Sequence, residues 1–337
     1  MEPEERLDLI GHADVDAQLA RELAAGTPPQ ALLIAGPPGI GKATLAFRYA
    51  RAALAPKARL RPDALAVSED APIVRQIANG AHPDLLVLRR PVDEKTGRTR
   101  QEIPVDSARN AGRFFTRTAG AGGLRLCIVD KADELNVAAA NALLKSLEEP
   151  PAGAGFLLLA DAPSRVLPTV RSRCRTIALR PVADADIADF VMRDADIARP
   201  EAEKIAALAG GRPGRALELL EEEGAAAASL VDGFIVAAAK GARSGAVAAG
   251  DALAGVKNDA LWASFRAILL DRLSAAARAA ARGEAKGDLA PYEAGALVDA
   301  WEKSRDWLGR GEGLNLDRSQ LLIALAADLR IALRGRE

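Results

Sequence analysis

Apolar and polar positions follow two regimes along this chain. In the first 180 residues, short apolar runs at residues 32–35, 85–88, 124–130, 155–160 and 174–179 are bounded by turn residues. Runs of that length and setting predict buried strands. Between them the apolar positions take a helical period. Val15, Leu19 and Leu23 fall at i, i+4 and i+8 of a helix over residues 13–25, ended by Gly26-Thr27-Pro28-Pro29. Further helices are predicted from the end of the first strand to about residue 54, from a cap at Asp106 or Ser107 to about residue 118, and over 138–149 before Pro150-Pro151. Residues 55–81, rich in Pro, Ala and charge, read as a helical or loop insertion, 91–99 as a charged loop, and 166–170 as a short connection. Buried strands alternating with helices imply a parallel sheet, hence an α/β domain.

Beyond Pro181 no strand is predicted. Residues 184–222 read as three short helices, punctuated by Gly210-Gly211-Arg212-Pro213-Gly214, and the chain is helical with short breaks from about residue 225. In the last helix Leu322, Leu325, Ala326, Leu329 and Leu333 share one face, with Asn315 as the expected cap. The expected division is 1–180 α/β, 181–224 three helices and 225–337 all helical.

Composition narrows the picture little. A net charge of −1 leaves any basic surface local. Cys127 and Cys174 are the only cysteines, which argues for a reducing compartment and against a disulfide framework. The acidic N-terminus does not read as a signal peptide, and no apolar run approaches a membrane span. A cytoplasmic address is expected.

The chemistry begins at Gly36. Residues Gly36-Pro37-Pro38-Gly39-Ile40-Gly41-Lys42 fit the phosphate-cradling pattern G-x-x-x-x-G-K between a strand and a helix. The glycines let backbone N–H groups turn toward an anion, the helix adds its positive end, and Lys42 supplies a point charge. The next residue should carry a hydroxyl for Mg²⁺; here it is Ala43. Thr44 has a hydroxyl, but one helical step turns it about 100° away. Asp130 ends an apolar strand, as a carboxylate holding Mg²⁺ from its second shell would. The glutamate that orients attacking water in such ATPases is replaced by Lys131, with Asp133 and Glu134 off the strand end. Gly36, Pro37, Gly39, Gly41, Lys42, Thr44 and Asp130 therefore describe a degenerate nucleotide site, compatible with weak ATP binding and without the groups for hydrolysis.

Two longer motifs carry a resemblance. The run from Ala138 to Pro151, AAANALLKSLEEPP, and Pro168-Thr169-Val170-Arg171-Ser172-Arg173-Cys174 closely resemble the clamp-loader branch of the AAA+ proteins. With the degraded loop, the best match is the delta-prime family of bacterial DNA polymerase III. The likeness covers residues from about 8 to 220, and Leu314-Asn315-Leu316-Asp317-Arg318 also looks like that family. It implies an AAA+ P-loop domain, a three-helix lid and a helical collar that joins a pentamer. The implied partners are the gamma/tau and delta subunits, the sliding clamp and primed DNA.

The resemblance also assigns residues. Arg173 matches the arginine finger that acts in trans on a neighbour's ATP; Arg suits this because its planar fork spreads charge over phosphoryl oxygens. The plainer alternative is a surface arginine or a partner for Asp161, and Arg171 is the second candidate. Arg215, in Gly214-Arg215-Ala216-Leu217, matches the sensor 2 arginine facing the nucleotide. Pro163 and Asp161 occupy the sensor 1 neighbourhood with no role assigned. Similar proteins carry a four-cysteine zinc module, but residues 55–81 hold no Cys, and His82 and His12 alone make no tetrahedral site, so no metal is expected. Arg109, Arg113 and Arg117 form an i, i+4, i+8 stripe that reads as a solvated face or as a contact to DNA phosphates. Two rival functions remain: a self-sufficient clamp-loader motor of gamma/tau type, opposed by Ala43 and Lys131, and a small-molecule P-loop kinase, opposed by the long helical C-terminal region.

Overall fold

The computed structural model describes residues 2–55, 63–91, 102–116, 123–254, 258–285, 287–313 and 316–334. The chain divides into two compact units, Met1–Ala216 and Leu217–Glu337.

The first unit runs α1 (Ala13–Ala24), β1 (Ala31–Ala35), α2 (Lys42–Leu54), α3 (Pro72–Ala78), β2 (Leu85–Leu88), α4 (Val105–Thr116), β3 (Arg125–Val129), α5 (Val137–Glu148), β4 (Ala154–Ala160), α6 (Pro168–Arg171), β5 (Arg175–Ala178), α7 (Asp184–Ala195), α8 (Arg199–Ala209) and α9 (Pro213–Leu220), which continues into the second unit. The five strands form one sheet in the order β2-β3-β4-β1-β5, and every pairing is parallel. This is a parallel α/β sheet whose first strand leads through the glycine-rich loop into α2.

The period-2 alternation of each strand sorts its side chains between two cores. Leu32, Ile34, Leu126, Ile128, Leu157 and Leu159 pack with α1, α2 and α3 on one face. Leu33, Cys127, Val129, Phe156, Leu158 and Ala160 pack with α4, α5 and α6 on the other. Strands β1, β3 and β4 are buried throughout, while β2 and β5 form the more exposed edges. Continuous apolar runs are what a sheet covered on both faces requires.

Several boundaries differ from the expected ones, each for a local reason. Helix α4 begins at Val105, so Asp106 lies in its first turn and pairs with Arg109 rather than capping it. The expected connection at 166–170 contains the single-turn helix α6, with Pro168 at its start, where a missing N–H costs nothing. Helix α5 is capped by Asn136, whose side chain accepts from Ala139 N at 2.8 Å.

The second unit contains α10 (Glu222–Lys240), α11 (Arg243–Leu253), α12 (Asp259–Ala281), α13 (Ala294–Gly313) and α14 (Arg318–Leu333). Phe234 and Phe265 meet edge to face, 5.7 Å between centroids, and Trp262 stacks on Phe265. Leu322, Leu325, Ala326, Leu329 and Leu333 are buried, as the helical period predicts. The cap of α14 is Asp317, which accepts from Gln320 N at 3.0 Å; Asn315 lies outside the described residues. Among the described residues no helix is long and apolar enough to cross a membrane.

Candidate functional site

In a parallel sheet all C-terminal strand ends open on one edge, and ligands bind beyond it. Here β1 leads into the Gly36–Lys42 loop, β2 into Arg89, β3 into Asp130 and β4 into Asp161. Gly39 and Gly41 have φ of +77° and +107°, which suit residues without a Cβ. Gly39 is also a contact point: Gly214 N donates to Gly39 O at 2.8 Å, and a Cβ at position 39 would lie 2.9 Å from Arg215 N. The start of α9 thus rests directly on the loop, with Arg215 buried beside it.

Lys42 is 9% exposed and turned back into its own loop. Its ammonium donates to Gly36 O at 2.7 Å and Pro37 O at 2.9 Å, and pairs with Asp161 at 2.6 Å. Asp161 has a second cation, Lys131, at 3.9 Å. Lys131 reaches Glu134 at 3.5 Å, and Glu134 meets Arg90 at 3.0 Å. The charges therefore alternate in an unbroken row: Lys42, Asp161, Lys131, Glu134, Arg90. Lys131 itself sits at φ +62°, a left-handed conformation uncommon for a side chain of its size.

Asp130 faces a cation from this chain. Arg89 Nε lies 3.7 Å from its carboxylate, while the other guanidinium nitrogens of Arg89 hold both oxygens of Glu4 at 2.9 and 3.0 Å. Burial pushes the Asp130 carboxyl up, against the pull of Arg89 and Lys131. Ala43 packs on the apolar core, and Thr44 is half-buried on the helix. The N-terminal segment is tied to α2 by Arg48, which donates to Leu7 O, and by the buried Arg51, which donates to Glu4 O and Arg6 O.

Arg173 lies elsewhere. It precedes β5, whose Arg175 is level with Leu32 of β1, whereas the loop starts only after Ala35. At about 3.3 Å per residue this separates Arg173 from its own loop by roughly 15 Å along the sheet. The side chain is 34% exposed; it donates to Thr169 O at 2.7 Å and pairs with Glu148 at the end of α5. Asp161, the alternative partner read from sequence, belongs to Lys42 instead. Arg171 donates weakly to Pro163 O at 3.4 Å on the exposed surface.

The sheet edge thus gathers Gly36, Pro37, Gly39, Gly41, Lys42, Asp130 and Arg215, and leaves out Arg173. Arg109 and Arg113 stand exposed on α4, over the sheet face opposite α2, and Arg117 lies outside the described residues.

A family sequence model described as "DNA polymerase III, delta subunit" matches residues 11–183. The chain belongs to that family. A DNA polymerase III delta-prime subunit of Pseudomonas aeruginosa is 38% identical over 184 residues, 54% of this chain and 53% of that one. The Escherichia coli delta-prime subunit is 32% identical over 60% of this chain and 58% of its own. A DNA polymerase III tau subunit from Salmonella typhimurium is 29% identical over 53% of this chain and 26% of its own. The match therefore spans little more than half the length of the delta-prime relatives. The family-model match ends at residue 183, just past the last strand, so the family assignment rests on the α/β domain.

Four residues at the sheet edge have roles that were not assigned from sequence. Arg89 and Asp161 each stand one residue after a buried strand, the position that singled out Asp130, and that signal was available for both. Lys131 was read as a missing glutamate; it is also a bridge between Asp161 and Glu134. His12, considered from sequence as a metal ligand, is left-handed at φ +58°, and its ring lies 3.0 Å from the loop carbonyl of Ile40. His82 accepts from Asp84 N at 3.2 Å.

Proposed function

We propose that this protein is a clamp-loader subunit of delta-prime type, which helps place a sliding clamp on primed DNA and hydrolyses no ATP itself. The observation that carries the reading is the cation at each place where catalysis needs something else. Lys131 stands in place of the water-orienting glutamate, and Arg89 lies against the carboxylate that would hold Mg²⁺. Ala43 removes the hydroxyl ligand. The loop geometry suits phosphate oxygens, so weak, Mg²⁺-independent ATP binding is consistent with it; the donor set does not suit a hydrated Mg²⁺. No zinc or other metal enters the reading.

The family membership and the delta-prime and tau relatives support a place beside gamma/tau-type and delta-type subunits. In this reading Arg173 serves the ATP site of a neighbour. Its distance from its own loop supports action in trans, and its planar fork suits transferring phosphoryl oxygens. Reconstitution tests the proposal: the purified chain should co-elute with gamma/tau-type and delta-type subunits and be required for clamp loading. A chain that stays monomeric in that mixture, or that turns over ATP alone in a Lys42-dependent manner, contradicts it.

A further inference from the structure

Helix α5 ends on two acids, Glu148 as its last residue and Glu149 as its C-cap, ahead of Pro150 and Pro151. Carboxylates at a helix C-terminus face its negative end, an unfavourable place for them. At Glu148 a cation offsets this: the Arg173 guanidinium, through Nη2. Nη1 of the same group donates to Thr169 O at 2.7 Å and lies 3.5 Å from Ser172 Oγ. Both ends of the fork are therefore engaged by the chain that carries it. A phosphoryl group approaching that fork meets a carboxylate already on it, which neutralises the cation and repels the anion.

The contacts of Arg173 can be given up without leaving a buried polar group unpaired. Arg173 N donates to Val170 O at 3.1 Å, three residues back, so the Thr169 carbonyl of α6 is taken up by side chains. Ser172 Oγ reaches it at 3.2 Å. When the Arg173 side chain swings away, Ser172 keeps that carbonyl satisfied. Glu148 is 46% exposed and returns to water, so no buried charge is stranded. An ion pair this exposed shifts an equilibrium by a factor of about five or less. That strength suits a side chain that is held and then released.

We propose that Glu148 is a positioning residue that parks Arg173 against the end of α5 until a neighbour's nucleotide draws it away. The proposal rests on the reading of Arg173 as a finger acting in trans. Phosphoryl oxygens of the neighbour's ATP compete with Glu148 for the guanidinium, so the finger is engaged only where ATP is in place.

The test is ATP hydrolysis at limiting ATP by the reconstituted, DNA-bound loader, followed in the phase that Arg173→Ala slows. Glu148→Gln keeps the shape of the side chain and removes its charge. It should raise the rate of that phase about two- to fivefold, the range set by an exposed pair. Glu148→Asp, which keeps the carboxylate, should stay closer to the wild-type rate. Added to Arg173→Ala, Glu148→Gln should change nothing further, the non-additivity of residues that act through one contact. Circular dichroism melts and co-elution verify folding and assembly. A phase unchanged or slower with folded Glu148→Gln, while Arg173→Ala slows it, overturns the parking role and leaves the finger reading standing. An equal gain in the Arg173→Ala background also overturns it, since Glu148 would then act without Arg173. A wild-type rate for Arg173→Ala overturns the finger reading and the parking role with it.

Discussion

Lys42 and Asp161 form an ion pair 2.6 Å long inside the loop that would otherwise hold phosphate. A phosphate must compete with Asp161 for the ammonium and with the carbonyls of Gly36 and Pro37 for its protons. Asp161→Asn should therefore tighten ATP binding several-fold while leaving turnover absent, because Ala43 and Lys131 are untouched. Calorimetry with and without Mg²⁺, paired with a phosphate-release assay, checks both halves. Unchanged affinity would remove the ion pair from the account.

A pH effect follows from the pair that ties α1 to the edge strand β5. Arg175 donates two bonds of 2.7 Å to Glu22 and thereby holds its carboxyl below the ordinary range. A depressed carboxyl stabilises the fold above its unfolded pKa, about 4.5, and loses that contribution as the pH falls through the folded value. Glu22→Gln should lower Tm at pH 7. The gap should begin to close below about pH 4.5 and vanish at more acid pH. Thermal melts across that range would show it; a gap constant to the lowest pH would mean the pair does not act through ionisation.

The second unit should be unequal in its tolerance of change. Leu325 is fully buried on α14, so Leu325→Ala should cost about 2–5 kcal/mol. Ile331→Ala, on the open side, should stay within about 0.5 kcal/mol. Urea unfolding measures both. Removing residues 315–337 deletes α14 and should abolish co-elution with partner subunits; a truncated chain that still assembles would contradict the collar reading.

The strands were legible because each is a short apolar run closed by turn residues, and the two-faced burial follows from the same pattern. Asp130 and the Gly36–Lys42 loop were legible because their chemistry is local in sequence. The pairing of Lys42 with Asp161 was not, since the two residues lie far apart in the chain and meet only because β1 and β4 are neighbours in the sheet. The remoteness of Arg173 from its own loop was hidden for the same reason, as it depends on the register of β5 against β1.

Arg173 carries the central claim, that a subunit unable to hydrolyse ATP completes a neighbour's site. The decisive measurement is single-turnover ATP hydrolysis by the reconstituted, DNA-bound loader containing Arg173→Ala. Arginine fingers contribute roughly 10³ to 10⁵ in rate, so one class of site should become that much slower while the others keep their rate. Assembly should be unchanged, Arg173→Lys should not restore the lost phase, and Arg171→Ala should be milder. A loader with Arg173→Ala that hydrolyses at every site with the wild-type rate would contradict the account and leave Arg173 as a surface partner of Glu148.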